Sequence, residues 1–281
     1  MIALVLTASF MVVEVIGGIV SGSLALLADA GHMLTDSMAL ALAAMAFHVS
    51  KRPARPSLSY GYQRFQILAA FVNGLALLFV VGWILIEAVR RFIAPPDVLA
   101  GTMLKVALLG LVVNVIAFAV LHGGDRDNLN IRGAALHVAG DLLGSIAAIT
   151  ASVIIIYTGF VIVDPLLSVA VAFLILRSAW DLVKRSAHVL LEGAPEWLDV
   201  GEMEARIVAG VPMVSSIHHV HVWGLTPQDL MLTMHVELDR CCENPAEQIR
   251  QVKSVLDAEY NISHSTIEIE FDTCADHKAA G

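Results

Sequence analysis

Two H-x-x-x-D pairs, His32 with Asp36 and His137 with Asp141, stand inside apolar stretches of the chain. Residues four apart share one face of a helix, so each pair presents an imidazole nitrogen and a carboxylate to one place. If the two stretches run antiparallel, His32 comes level with Asp141 and Asp36 with His137, and four ligands converge. Two nitrogens and two oxygens in tetrahedral reach suit Zn²⁺, with Cd²⁺ and Co²⁺ next. Two imidazoles disfavour Mg²⁺ or Ca²⁺, and the lack of any thiolate in the apolar part disfavours Cu(I).

Carboxylates at such depth are costly. Three aspartates, Asp29 included, cost about 2.5 to 3.5 kcal/mol each near the middle of a bilayer, and a bound dication offsets this. A lone His/Asp pair is as well explained by helix–helix hydrogen bonds or a proton wire; two matching pairs on two stretches favour the metal. Asp29, three residues before His32, is read either as a water-facing residue at the helix start or as a carboxylate that orients the imidazole from outside the ligand set. Glu14, Asn73, Glu87 and Asn114 are isolated and are read as helix–helix hydrogen bonds or interface positions.

The elements that must position these residues follow from composition. Of 281 residues, 57% are hydrophobic and 15% charged, and the mean hydropathy is +0.75, values that mark a membrane protein. Six stretches near 2–20, 23–48, 63–89, 101–121, 131–157 and 165–186 each cover a hydrocarbon core, which takes about 20 helical residues. The first begins almost at Met1 without a flanking basic residue, from which a missing polar N-terminal tail is expected. His32 and Asp36 then sit about 14 to 20 Å into their span. With both ends inside, Lys51, Arg52, Arg55, Arg64, Arg126, Arg132, Lys184 and Arg185 are cytoplasmic, against Arg90, Arg91 and Lys105 outside. Gly18/Gly22 and Gly140/Gly144 allow close helix approach.

The net charge of −9, without a clustered basic surface, excludes nucleic acid as a partner. The acidity lies after Pro195, where the pattern becomes αββαβ: helices at 198–210 and about 245–260, strands at 214–224, 229–239 and 264–272. Strict alternation places His219, His221 and Trp223 on one face of the first strand and His218 on the other. It also gathers His235, Glu237, His264, Glu268, Glu270 and Asp272 on a polar face. The three cysteines, Cys241, Cys242 and Cys274, form neither a CxxC motif nor a disulfide framework and fit a reducing compartment. His48 and His122 are read as complements to helix C-termini.

The run Gly22-Ser-Leu-Ala-Leu-Leu-Ala-Asp-Ala-Gly-His-Met-Leu-Thr-Asp36 resembles the cation diffusion facilitator family, zinc-exporting bacterial branch. So do Tyr60-Gly-Tyr-Gln-Arg-Phe65, Leu129-Asn-Ile-Arg-Gly-Ala134, His221-Val-Trp223 and His264-Ser-Thr-Ile-Glu-Ile-Glu270. The resemblance covers nearly the whole chain. It implies a homodimeric metal/proton antiporter: an α-helical membrane protein with six transmembrane helices in residues 1–190, then a small cytoplasmic ferredoxin-like α+β domain in 191–281. It also implies that His221, His235, His264 and Glu270 match positions that bind cytoplasmic zinc, with Asp272 and Cys274 as further candidates. The His-rich loop that relatives carry between spans four and five is absent, since 122–130 offers only His122, so zinc capture by that loop is not expected.

Neutral imidazole and ionised carboxylate bind metal, so protons compete for the same atoms. The expected function is export of Zn²⁺, or Cd²⁺ or Co²⁺, from the cytoplasm in exchange for protons across the inner membrane, with zinc also regulating through the tail and the lipid bilayer as the other partner. An intramembrane zinc metalloenzyme lacks its HExxH-type base, and a membrane metal sensor is the remaining alternative.

Overall fold

In the computed structural model, six long helices precede a small α/β tail. The structure describes residues 2–122, 129–271 and 274; for some helical residues, Asp36 and His137 among them, it describes the backbone alone. The helices are α1 (Ile2–Ser21), α2 (Leu24–Ser50), α3 (Phe65–Ile93), α4 (Ala100–His122), α5 (Leu129–Thr158) and α6 (Val163–Leu190). Their bounds follow the six apolar stretches. The shortest, α1, has 20 residues and is about 30 Å long at 1.5 Å per residue. Among the described residues, α3 and α6 are long and apolar enough to cross a membrane, by length and composition.

Packing divides the chain into one unit of residues 1–46 and 69–184 and another of 47–68 and 185–281. In the first, α2 is buried on two sides, as an apolar helix must be when neighbours surround it. Leu24 and Ala28 pack with Leu77, Val81 and Ile84 of α3 and Ala172 of α6. Leu26 packs instead with Met103 and Ala107 of α4 and Ala148 and Ala151 of α5. The chain breaks between α1 and α2 at Gly22, whose φ is +71° and where a Cβ would meet the Asp97 carbonyl oxygen at 3.1 Å. A side chain fits neither the left-handed backbone nor the space.

The first turn of α2 has all four of its N–H groups satisfied, two of them by another helix. Asp164 of α6 accepts from Leu24 N at 2.7 Å, from Ala25 N at 3.2 Å and from Ser23 Oγ at 2.6 Å. Ser23 caps the other two, its Oγ accepting from Leu26 N at 3.3 Å and its carbonyl from Leu27 N at 3.4 Å. Arg91 of α3 stands 3.5 Å from Asp164, 3.2 Å from Glu87, and donates to the Gly22 carbonyl. Asp164 is 0% exposed. Removing one partner of a buried ion pair costs about 3 to 5 kcal/mol, because the other charge is left stranded.

In the second unit α7 (Val200–Gly210) and α8 (Pro245–Tyr260) accompany a sheet of order β1-β2-β3, with β1 (Val214–Gly224), β2 (Leu230–Leu238) and β3 (His264–Glu270). β1 and β2 are antiparallel, while β2 and β3 are parallel, so the sheet is mixed. Its core holds Met203 and Ile207 of α7, Leu232 and Met234 of β2 and Leu256 of α8. Both helices start as their sequences dictate. The Asp199 side chain accepts from Glu202 N at 3.1 Å and that of Asn244 from Glu247 N at 3.3 Å, with Pro245 in the first turn; each satisfies an otherwise orphaned donor. Arg206 donates twice to Glu259, at 2.9 and 3.2 Å. That hydrogen bonding holds the Glu259 carboxyl below its ordinary range and raises Arg206. Segment 47–68 belongs to the same unit, through Arg64–Glu192 at 3.0 Å and the edge-on approach of Tyr60 to His264 at 6.5 Å.

The strict alternation read from β1 does not hold. His218 stands opposite His235 and His221 opposite Thr233, so three steps along β1 match two along β2, one residue being extra. The extra residue is a bulge at His219, whose φ is +50°. A bulge re-aims the side chains beyond it. His218, expected on the far face, therefore shares the face of His235.

Candidate functional site

Asp29 and His32 of α2 and Asp141 of α5 line one cavity of about 390 Å³, closed on its third side by α6 residues from Leu167 to Ser178. Asp141 is buried. Helix periodicity brings Asp29 and His32 to the same wall, being three residues apart, and the small α5 residues Gly144 and Ala147 let the helices approach. A Cβ on Gly144 would lie 3.2 Å from Asp29 Oδ1, so this glycine makes room for a carboxylate. Thr35, one turn on, returns its hydroxyl to the His32 carbonyl at 2.7 Å. The side chains of Asp36 and His137 lie outside the described residues; their helices carry them one turn from His32 and Asp141 respectively.

Glu14, read as isolated, is not. It is buried on α1 and in hydrogen-bond reach of Asp29, so a third helix brings a carboxyl to this place. This is the helix–helix hydrogen bond expected of Glu14; what the sequence does not mark is its partner, Asp29, on another helix. Asn114 does make the expected helix–helix bond, donating to Ser145 Oγ at 3.3 Å.

A second cluster lies in the tail. One ligand atom each from His218, His219, His235 and Cys274 falls within 4.8 Å of the others. Cys274 Sγ is 3.8 Å from His219 Nδ1 and 3.7 Å from His235 Nδ1. In tetrahedral zinc, with Zn–S about 2.3 Å and Zn–N about 2.0 Å, sulfur and nitrogen stand about 3.5 Å apart. The two sulfur–nitrogen distances are within a few tenths of an ångström of that value. Glu270 joins the group from β3, its two oxygens 2.9 Å from His218 Nε2 and 2.8 Å from His235 Nδ1, and Glu268 Oε2 is 3.6 Å from His235 Nε2.

Of the tail residues singled out in the sequence, His235, Glu270 and Cys274 come together here. His221 and His264 do not join them. His221 lines a different cavity, with Thr233, Trp223 and Glu192. His264 begins β3 opposite Met231, roughly 13 Å along the strand from Glu268 at 3.3 Å per residue. Asp272 lies outside the described residues. His218 and His219 were missed because nothing in the sequence marks the bulge: the residue with positive φ is a histidine, not a glycine.

The cation efflux transmembrane domain, as a sequence family, matches residues 1–191, and the cytoplasmic domain of cation efflux proteins matches residues 195–272. The zinc transporter ZitB of Yersinia pestis is 47% identical over 98% of this chain and 88% of its own. The metal cation efflux system protein CzcD of Cupriavidus metallidurans is 42% identical over 99% of this chain and 88% of its own. A Bacillus subtilis relative described as a cadmium, cobalt and zinc/H(+)-K(+) antiporter is 42% identical over 96% of this chain and 88% of its own.

Proposed function

The chain belongs to the cation efflux family, and on that premise we propose that it exports Zn²⁺ from the cytoplasm in exchange for protons. It is a transporter and not an enzyme. Cd²⁺ and Co²⁺, named with zinc for the Bacillus subtilis relative, are further cargo on the same ligand chemistry. All of α1 to α6 span the inner membrane as the transport domain, residues 1–190, and residues 191–281 form the cytoplasmic domain through which two copies pair. His32, Asp36, His137 and Asp141 carry the metal. Asp29 supports them from the cavity wall, with Glu14 behind it.

The observation that carries this reading is the convergence of Asp29, His32 and Asp141 on one cavity among apolar helices. Imidazole and carboxylate release protons to take metal and recover them to give it up, so one cavity exchanges the two cations as it faces each side in turn. The test is zinc uptake by proteoliposomes under an imposed pH gradient, with Asp141→Ala as the variant that must stop it.

In the tail, His218, His219, His235 and Cys274 with Glu270 form a zinc centre that regulates transport, and Asp272 stands next to it in the chain. The donor set supports this: imidazoles and a thiolate suit Zn²⁺, and three of the residues were clustered by a bulge. Zinc shifts the tail only by binding one arrangement of the two copies more tightly than another.

A further inference from the structure

The hydrogen-bonded knot at the start of α2 lies at the end of the helical unit where α6 begins. The tail follows the last residue of α6, Leu190, so Asp164 near its start, Val163, marks the opposite end. Ser23, Leu24 and Ala25 of α2 bind that same aspartate, and Arg91, near the end of α3, pairs with it. Three helices are thus tied together on the non-cytoplasmic side. Along α2 from Leu24, His32 and Asp36 stand about 12 and 18 Å on, at 1.5 Å per residue. The metal-bearing helix holds its ligands at a set distance from a fastened end.

Such a knot is either a latch that opens in each cycle or a pivot that stays closed. Opening would strand a carboxylate with 0% side-chain exposure and two helix N–H groups at once and leave the Arg91 guanidinium with Glu87 alone, and burial of such groups without a partner is heavily disfavoured. Every member now has its partner, which favours the pivot.

We propose that Asp164 is a positioning residue which, with Ser23 and Arg91, pins the outer end of α2 to α3 and α6 throughout the transport cycle and so sets where His32 and Asp36 stand against Asp141. The proposal rests on the transport reading above.

The test is the zinc dependence of uptake by proteoliposomes at a fixed pH gradient, normalised to correctly inserted, monodisperse full-length protein. Asp164→Asn exchanges one of the two accepting oxygens for an amide NH2, so a helix N–H of Leu24 or Ala25 loses its acceptor, and should raise the KM for zinc about tenfold or more while the maximal rate stays within about threefold. A purely structural role would lower the yield of inserted protein and leave KM alone. A parental KM in Asp164→Asn overturns the proposal, and so does a raised maximal rate at unchanged KM, the signature of a latch. Should Asp164→Asn not insert, Ser23→Ala removes two hydrogen bonds, the one given to Asp164 and the one taken from Leu26 N, and keeps both charges; a KM raised about threefold supports the pivot and a parental KM overturns it. If the parent itself moves no zinc, the transport reading fails instead.

Discussion

His235 Nδ1 lies 2.8 Å from Glu270 Oε1, joining the middle of β2 to the last residue of β3. The other oxygen of the same carboxylate reaches His218. One glutamate therefore reaches two imidazoles from two strands, at the same His235 nitrogen that faces Cys274, which places it among the donors around the ion; loss of even an outer carboxylate typically costs about 10- to 100-fold in metal affinity. Glu270→Gln should weaken tail zinc binding by that factor, measured by calorimetry on full-length Asp141→Ala protein so that the transport site does not contribute. Undiminished affinity would remove Glu270 from the centre.

Cys274 is the cysteine of the proposed tail zinc site; Cys241 and Cys242 precede α8 and belong to no such group among the described residues. Bound zinc should therefore slow alkylation of Cys274 and leave the other two unchanged, as mass spectrometry of the labelled peptides would show. Equal labelling of Cys274 with and without zinc would mean that its sulfur is not a ligand.

Much of this architecture is legible in the sequence because it is written in runs. Six apolar stretches became α1 to α6, and Asn244-Pro245 opened α8 where a capping residue and a proline at the first turn should. What is not written in runs went unread. The bulge at His219 has no glycine to announce it, and one extra residue was enough to bring His218 onto the face of His235. Asp164 and Glu14 owe their importance to helices distant in sequence: Asp164 caps a helix 140 residues away. The His32 and Asp141 convergence was legible because the i, i+4 pattern occurs twice.

Gly144 faces the Asp29 carboxylate, with 3.2 Å left for a Cβ, whereas Gly101 has nothing within 4 Å of the same position. Gly144→Val should push Asp29 off the cavity wall and cut zinc uptake at least about tenfold, since displacements near 1 Å at a site can cost 10²-fold. Gly101→Ala should transport as the parent does. Normal uptake by Gly144→Val would show that the Asp29 position does not matter.

Residues 195–281 carry all of the excess negative charge of the chain, so two tails repel within a screening length of about 8 Å at physiological salt. Zinc should lessen this and bring them together. Spin labels on the two tails should approach when zinc is added, and His235→Ala/Glu270→Ala should lose that response while keeping flux at saturating zinc. If the double variant loses flux as fully as Asp141→Ala, the tail site is part of the transport path and does not merely regulate it.

Zinc uptake into proteoliposomes with an acidic lumen, followed together with lumenal pH, bears most directly on metal–proton exchange at the His/Asp site. Imidazoles ordinarily titrate near pH 6.5, so a gradient spanning about pH 6 to 8 covers the exchange. Uptake should rise with the gradient, the lumen should alkalinise as zinc enters, and both signals should vanish in inserted Asp141→Ala and Asp36→Ala protein. Zinc entry indifferent to the gradient, or near-parental uptake in both variants, would contradict the account.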